Sequence, residues 1–174
     1  DFLINGISID SRTVKNNFIF GAIKGNTYNG EHFIQKLLNF RNLVIIYSNK
    51  SKLNIEYKKY KNIVFIQVKD VRFFISEVCS FFFPNNINQK LAITGTNGKT
   101  SISFYAYQIW KKQNMSGAFV GTLGVNYQKK IDSKSNLTTP DVITIHKTLH
   151  KLSNLGCKRV ILEASSIGLE QKRL

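Results

Sequence analysis

Thr94-Gly95-Thr96-Asn97-Gly98-Lys99-Thr100 carries the residue types that hold a nucleoside triphosphate. Glycines let successive backbone amides converge on phosphate oxygens, and a helix starting behind them adds a favourable dipole. Lys99 supplies a point charge for the outer phosphates, and the Thr100 hydroxyl can hold Mg²⁺. In the common phosphate-loop spacing the first glycine falls at the position of Ile93, so this segment is a shortened variant. Gly95, Thr96, Asn97, Gly98, Lys99, Thr100 and Ser101 are the expected ATP-binding set. The matching carboxylate is Glu163, which ends the run Arg159-Val160-Ile161-Leu162 at the tip of a buried strand. A carboxylate placed there orients Mg²⁺ directly or through water. Lys99 and Glu163 are therefore the expected catalytic residues, and Thr100 and Glu163 the expected metal ligands.

Such groups need a strand entering the loop, a helix leaving it, and a second strand ending beside it. Residues 90–94 read as the first strand, 99–112 as the helix, 116–120 as another strand and 159–163 as a third. A helix is expected over 141–155, and a small hairpin within 124–131. This is the opening of a doubly wound, mainly parallel sheet, whose ligands lie at the carboxyl ends of the strands. Upstream, strands are expected at 7–9, 17–23, 43–47 and 63–68. Phe33, Ile34, Leu37 and Leu38 have helical spacing, as do Val71, Phe74, Ile75, Val78 and Phe82. Alternating strands and helices predict α/β folding in both halves. The polar, turn-rich stretch 84–88 suggests a boundary: a small N-terminal α/β domain over 1–86, then a P-loop-type domain over 87–174.

Composition narrows the ligand class. With 174 residues, 43% hydrophobic and 20% charged, the chain can form a core. Its net charge of +15 is spread in short runs, such as Lys58-Lys59 and Lys129-Lys130, without a basic arm. Small anionic ligands suit that pattern better than nucleic acid. Cys79 and Cys157 read as buried thiols, not a disulfide framework or metal site. No stretch reaches the roughly 18 apolar residues of a membrane helix, and Asp1-Phe2-Leu3-Ile4 has no signal-peptide pattern. The expected location is cytoplasmic. His146 and His150 lie four apart on a helix, but nothing nearby supplies a third ligand, so they read as surface histidines. Phe73, Phe74, Phe81, Phe82 and Phe83, and Tyr105, Tyr107 and Trp110, read as packing residues.

Thr94 to Ser101 closely resembles the ATP loop of the Mur ligase family, enzymes that add amino acids to the peptidoglycan precursor. Leu137-Thr138-Thr139-Pro140-Asp141 is similar to the family's double-threonine segment. Glu163-Ala164-Ser165-Ser166-Ile167-Gly168-Leu169-Glu170-Gln171-Lys172-Arg173 resembles the segment written E-[VA]-S-S-H-G-L-x-Q-x-R. With Asp10-Ser11-Arg12, these motifs point to the MurE type, which adds diaminopimelate or lysine to the UDP-muramoyl dipeptide. Ile167 stands where that family commonly has His, while Ser165, Gln171 and Arg173 are in place. The resemblance implies that Ile9, Ser11, Asn26, Thr27 and Tyr28 contact the uridine nucleotide. It implies that Thr138, Thr139, Ser165, Gln171 and Arg173 hold the muramoyl-peptide part. Hydroxyls and an amide suit sugar and peptide groups, and Arg173 suits a carboxylate or pyrophosphate.

The implied cofactors are ATP and Mg²⁺, and the implied partners are UDP-N-acetylmuramoyl-dipeptide and an amino acid, handled by a monomer without nucleic acid or membrane. Two alternatives stand: another Mur or folylpolyglutamate-type ligase, or a non-catalytic Mur-like nucleotide-binding module. The Ser-Ser-Ile-Gly-Leu-Glu-Gln segment argues against the first. The resemblance also implies a later lysine and histidine, and a further domain that closes over ATP and the amino acid. The 174 residues alone are therefore expected to ligate nothing, with residues 160–163 presenting an unpaired edge. A coupled phosphate-release assay with dipeptide substrate, ATP, Mg²⁺ and diaminopimelate or lysine checks this. Substrate-dependent turnover by these residues would overturn it.

Overall fold

The computed structural model describes residues 3–25, 28–53, 55–56, 59–132 and 137–174. Two compact units divide within one helix, as Asp1–Glu77 and Val78–Leu174. In the first unit β1 (Gly6–Ser8), β2 (Phe18–Gly21), β3 (Leu43–Ser48) and β4 (Ile63–Val68) form an all-parallel sheet in that order. The near-continuous apolar run of β3 is what such a sheet requires, because its strands are covered on both faces. Ile34 and Leu37 of the short helix α1 (Ile34–Leu37) join Phe20, Leu43, Ile45 and Ile63 in one core cluster. The helix expected around them is shorter than its pattern, because the chain first makes a 3-10 turn over Gly30–Phe33. That turn is fixed by the Asn29 side chain accepting from the Glu31 amide.

Helix α2 (Val71–Phe82) buries Val71, Ile75 and Cys79, a four-residue repeat that keeps one stripe inward. A Cβ on Gly21 would lie 2.6 Å from Ile75 Cγ1, so α2 rests directly on the β2 backbone.

The second unit contains β5 (Gln89–Ile93), α3 (Lys99–Lys112), β6 (Gly117–Gly121), β7 (Gly124–Tyr127), β8 (Lys129–Asp132), α4 (Val142–Asn154), β9 (Arg159–Glu163) and α5 (Ser166–Glu170). Its sheet runs β5-β9-β6-β7-β8; β5, β9 and β6 are parallel, and β7 and β8 join antiparallel. Alternation along the strands sends Ala118, Val120, Val160 and Leu162 to one core with Ile145, Leu149 and Leu152 of α4. Phe119 lies on the opposite face, where Phe104 of α3 meets it edge-on with centroids 5.8 Å apart. A Cβ on Gly117 would lie 2.5 Å from the Trp110 ring, so α3 packs closely on the start of β6. Among the described residues, no helix is long and apolar enough to cross a membrane.

Three sequence expectations are corrected. The α4 crossover brings β9 between β5 and β6, so residues 160–163 are paired on both sides, inside the sheet. The edges among the described residues are β5, whose Leu91 is 47% exposed, and β8. The aromatic residues divide by face: Tyr107 is buried under the sheet, whereas Tyr105 looks outward with Ile102 and Ile109. Phe73 and Phe81 likewise point away from the buried stripe of α2.

Cys79 and Cys157 are both buried, as their contexts suggest. Burial pushes the Cys79 thiol up to about 12, with Asp141 adding to the shift and Lys147 opposing it. Burial also raises Cys157, against a weaker lowering from a backbone hydrogen bond at Arg159. Thiolate is the nucleophile, so both residues stay protonated and unreactive near neutral pH. The raised folded-state values leave stability untouched below the ordinary thiol pKa of about 8.5, and stability falls as pH rises past it. We expect a thiol-reactive disulfide reagent at pH 8 to modify neither cysteine in the native protein and both in denaturant. Rapid native labelling would contradict that placement.

Candidate active site

The loop between β5 and α3 takes its shape from two glycines. Gly98 is the residue before α3, with φ +79°, and Gly95 has φ +147°. Side-chain-bearing residues rarely adopt either conformation. Gly98 supplies no side-chain cap, so the first amides of α3 face the loop mouth with neither an intrahelical acceptor nor a capping oxygen. That is a ready anion site. Lys99 Nζ lies at the same mouth and donates to the Gly95 carbonyl at 2.5 Å and the Thr96 carbonyl at 3.3 Å. Gly95, Thr96, Asn97, Gly98 and Ser101 are exposed, and Lys99 and Thr100 half-buried.

Glu163 closes the back of the site. Register pairs it with Ile93, the last residue of β5, and it shares the face of Ile161, two residues earlier. Period-two alternation therefore turns a carboxylate, not an aliphatic chain, toward the start of α3. The residue is 1% exposed. Oε2 accepts from the Thr100 hydroxyl at 2.8 Å and the Thr122 hydroxyl at 3.0 Å, and Oε1 from the Thr122 amide at 3.0 Å. A buried carboxylate is tolerable only when donors replace its water, and these three do so.

The double threonine and the final segment meet beside it. Thr139, 1% exposed, donates its hydroxyl to the Glu163 carbonyl at 2.8 Å and accepts from the Ser165 amide at 2.9 Å. Its oxygen is also 3.0 Å from Ser165 Oγ. Ser165 caps α5 by accepting from the Gly168 amide at 3.1 Å, and a Cβ on Gly168 would strike Thr139 Cγ2 at 2.7 Å. Arg173 donates to the Thr139 carbonyl at 2.7 Å, while its Nε and Nη2 both reach Gln171 Oε1, at 3.1 and 2.7 Å. Thr138 Oγ1 is 3.2 Å from Thr122 Oγ1. Thr138, Thr139, Ser165, Gln171 and Arg173 thus form one hydrogen-bonded set continuous with Glu163. The Thr139 hydroxyl is fully occupied within the protein, which makes it a latch between the β9 end and α5. Ile167 is 53% exposed on the first turn of α5.

A hard cation with phosphate oxygens fits this donor set. Thr100 and Glu163 offer oxygen ligands at the loop mouth, the pattern Mg²⁺ uses when it binds through one carboxylate and substrate phosphates. Among the described residues, no group of three or more His, Cys, Asp or Glu could hold a metal by itself. His150 is instead anchored by contacts with the Pro84 carbonyl and Asn154.

The first unit has its own cavity, of about 590 Å³. Ile9, Ser11 and Tyr28 all line it, with Phe33, Arg12 and Arg72. Asn26 and Thr27 lie outside the described residues. The wall at Ser11 is built locally: the Ser8 hydroxyl donates to the Asp10 carbonyl and accepts from the Asp10 amide, and Asp10 caps the turn Ser11–Thr13. Arg12 hydrogen bonds hold the Asp10 carboxyl below its ordinary value. Arg72 donates to the Lys24 carbonyl at 3.1 Å, tying α2 to the turn that carries Tyr28. Sequence reading gave no role to Arg72, Gly121 or Thr122. A Gly-Thr pair ending a strand was the signal at 121–122, legible only once β6 is known to end beside β9.

A glycine-shaped loop feeding a helix, with a buried carboxylate on the adjacent parallel strand, gives the architecture of an α/β domain of the P-loop type. Residues 93–174 match the Mur ligase middle domain. Across 174 aligned residues and 98% of its length the chain is 36% identical to UDP-N-acetylmuramoyl-L-alanyl-D-glutamate–2,6-diaminopimelate ligase of Rickettsia conorii. It is 31% identical to the ligase of the same name from Phocaeicola vulgatus, again over 98% of the chain. The chain spans about a third of these relatives' length, 35% and 34% respectively. A solved structure of a ligase with that name superposes with TM-score 0.73 and 27% identity, over 98% of this chain and 34% of the other. The MurF ligase of Thermotoga maritima, solved with ADP, shares the fold at TM-score 0.53 and 17% identity, over 92% of this chain and 32% of that one.

Lys99→Ala removes the cation at the loop mouth, and Gly98→Ala forces a side chain into left-handed backbone. A hydrogen bond to a charged group contributes about 1.5–3 kcal/mol, so we expect ATP affinity to fall roughly ten- to a hundredfold for Lys99→Ala. Gly98→Ala should weaken it in the same direction. Calorimetry with ATP and unchanged circular dichroism check both; near-parental affinity would remove this loop from the nucleotide site.

Proposed function

We propose that the protein is an ATP-dependent ligase that joins the third amino acid to UDP-N-acetylmuramoyl-L-Ala-D-Glu in the cytoplasm. The names of its relatives favour diaminopimelate over lysine as that residue. The carrying observation is the continuous hydrogen-bonded set from Thr100 through Glu163 and Thr122 to Thr138. It joins the phosphate-binding loop to the residues proposed to hold the muramoyl peptide. A ligase needs that adjacency, because a phosphoryl group must pass from ATP to the substrate carboxylate.

A free carboxylate is a poor electrophile. Transfer of the γ-phosphoryl group gives an acyl phosphate, which the amino group of the incoming amino acid attacks, releasing phosphate and forming the amide. Lys99 and the first amides of α3 bind and orient the phosphates, and their fixed positive ends stabilise charge as the terminal group moves. Thr100 and Glu163 would hold Mg²⁺, which supplies charge neutralisation between the phosphates. Arg173, fixed by Gln171 and the Thr139 carbonyl, presents a cation to the substrate's carboxylate or pyrophosphate. Ser165 and Thr139 keep α5 in register for that task.

The first unit supplies the uridine-nucleotide site in this reading. Its cavity offers Tyr28 and Phe33 to a base and Arg12 and Arg72 to a pyrophosphate. The assignment of Ile9, Ser11, Asn26, Thr27 and Tyr28 to this nucleotide rests on the family resemblance, with the cavity lining as support. A Ser11→Ala, Thr27→Ala double variant should bind UDP-N-acetylmuramoyl-dipeptide at least tenfold more weakly by calorimetry, with ATP affinity unchanged. Equal affinity in variant and parent would remove these residues from the site. Amide formation by the full-length protein, dependent on dipeptide, ATP and diaminopimelate, tests the whole reading; its absence would leave the non-catalytic alternative.

A further inference from the structure

We infer that Thr122, with Gly121 beneath it, is the positioning residue that aims the Glu163 carboxylate at the metal–nucleotide site. The inference rests on the proposed metal role of Glu163. Thr122 is the first residue after β6, and β6 pairs with β9 up to Val120 and Leu162. The backbone therefore leaves the sheet directly beside Glu163. Thr122 contributes two of the three donors to that carboxylate, its amide to Oε1 and its hydroxyl to Oε2. One donor on each oxygen fixes the rotation of the carboxylate plane, which a single hydrogen bond would leave free.

Gly121 permits the arrangement. A Cβ there would stand 2.3 Å from Glu163 Oε1 and 2.5 Å from Cδ, inside the carboxylate itself. Any side chain at 121 would displace the group from the loop mouth. The restriction is one of space, since the glycine has no positive φ.

Thr100 is the third donor, and it is also a proposed metal ligand. A hydroxyl that turns its oxygen to a cation can still reach Oε2 only if its proton keeps that direction. Thr122 has no such second duty toward the metal, so it holds Oε2 whichever way Thr100 is engaged. Its hydroxyl is also within 3.2 Å of Thr138. A single hydroxyl proton serves one acceptor at a time, and a carboxylate is the stronger acceptor, so Thr122 donates to Glu163 in preference to Thr138. The Thr122 side chain is exposed, so packing gives no competing reason for its identity.

The test uses the full-length protein, ATP as nucleotide and Mg²⁺ as metal, titrating Mg²⁺ at fixed ATP while nucleotide binding and turnover are read. Thr122→Val and Thr122→Ala both remove the hydroxyl and keep the amide. We expect each to raise half-saturating Mg²⁺ by roughly five- to tenfold, less than the full loss of a hydrogen bond to a charged group because the Thr122 amide and Thr100 still hold the carboxylate. ATP affinity without Mg²⁺ should stay within about twofold, and Thr122→Ser should restore the parental Mg²⁺ dependence. A parental titration in both Val and Ala variants overturns the inference, as does a Ser variant that fails to rescue. Glu163→Gln, measured in parallel, separates the two levels. If it also leaves the Mg²⁺ requirement unchanged, the metal role of Glu163 falls and the inference with it. If it shifts the requirement while Thr122→Val and Thr122→Ala do not, only the positioning role fails.

Discussion

The second unit is organised around one buried carboxylate. Glu163 sits at the end of β9, an interior strand of its sheet, 1% exposed, where an unpaired charge would be expelled or neutralised. Three donors replace its water, and each comes from a chain segment that must be in place first. Thr100 requires α3 to begin where it does, which requires Gly98 to turn left-handed. Thr122 requires β6 to end level with β9. The burial of this charge is thus a geometric test that the loop, the helix and two strands must pass together. Its value lies more in registering those elements than in stability, because well-hydrogen-bonded buried charges contribute little net free energy.

Close approaches do the same work without charge. Gly121 admits the carboxylate, Gly168 admits Thr139, and Gly117 admits the Trp110 ring, each at a separation where a Cβ would collide. The Thr139 hydroxyl then ties the β9 carbonyl to the first turn of α5, and Arg173 returns to the Thr139 carbonyl. Side chains from 138 to 173 are held by short polar links, so their orientation depends on backbone positions far apart in sequence. This differs from the loop itself, whose geometry is set by adjacent glycines.

In the first unit the cavity is made by local hydrogen bonding on a parallel sheet. Ser8, Asp10 and Arg12 shape the turn after β1 within a handful of residues, and the ion pair keeps Asp10 charged as a cap. Aromatic rings and two arginines then share one concavity, a lining suited to a ligand with a flat base at one end and phosphates at the other.

The sequence by itself determined the local devices. The phosphate loop, the strands and helices around it and the terminal carboxylate of β9 could be read because they rest on short-range rules: glycine freedom, two- and near-four-residue periodicity, and capping by Ser, Asp or Asn. The resemblance of Thr138, Thr139, Ser165, Gln171 and Arg173 to a family pattern named a set of residues but not how they join. Tertiary structure alone decided that β9 enters between β5 and β6, which moved residues 160–163 from an expected edge to the sheet interior. It also decided which aromatic residues face inward, since Tyr105 and Tyr107 differ only by the helical face each occupies. Thr122 and Gly121 became visible for the same reason. Strand order is a long-range property, set by crossover connections and burial of both sheet faces, and no local pattern near 121–122 encodes which carboxylate will end beside it.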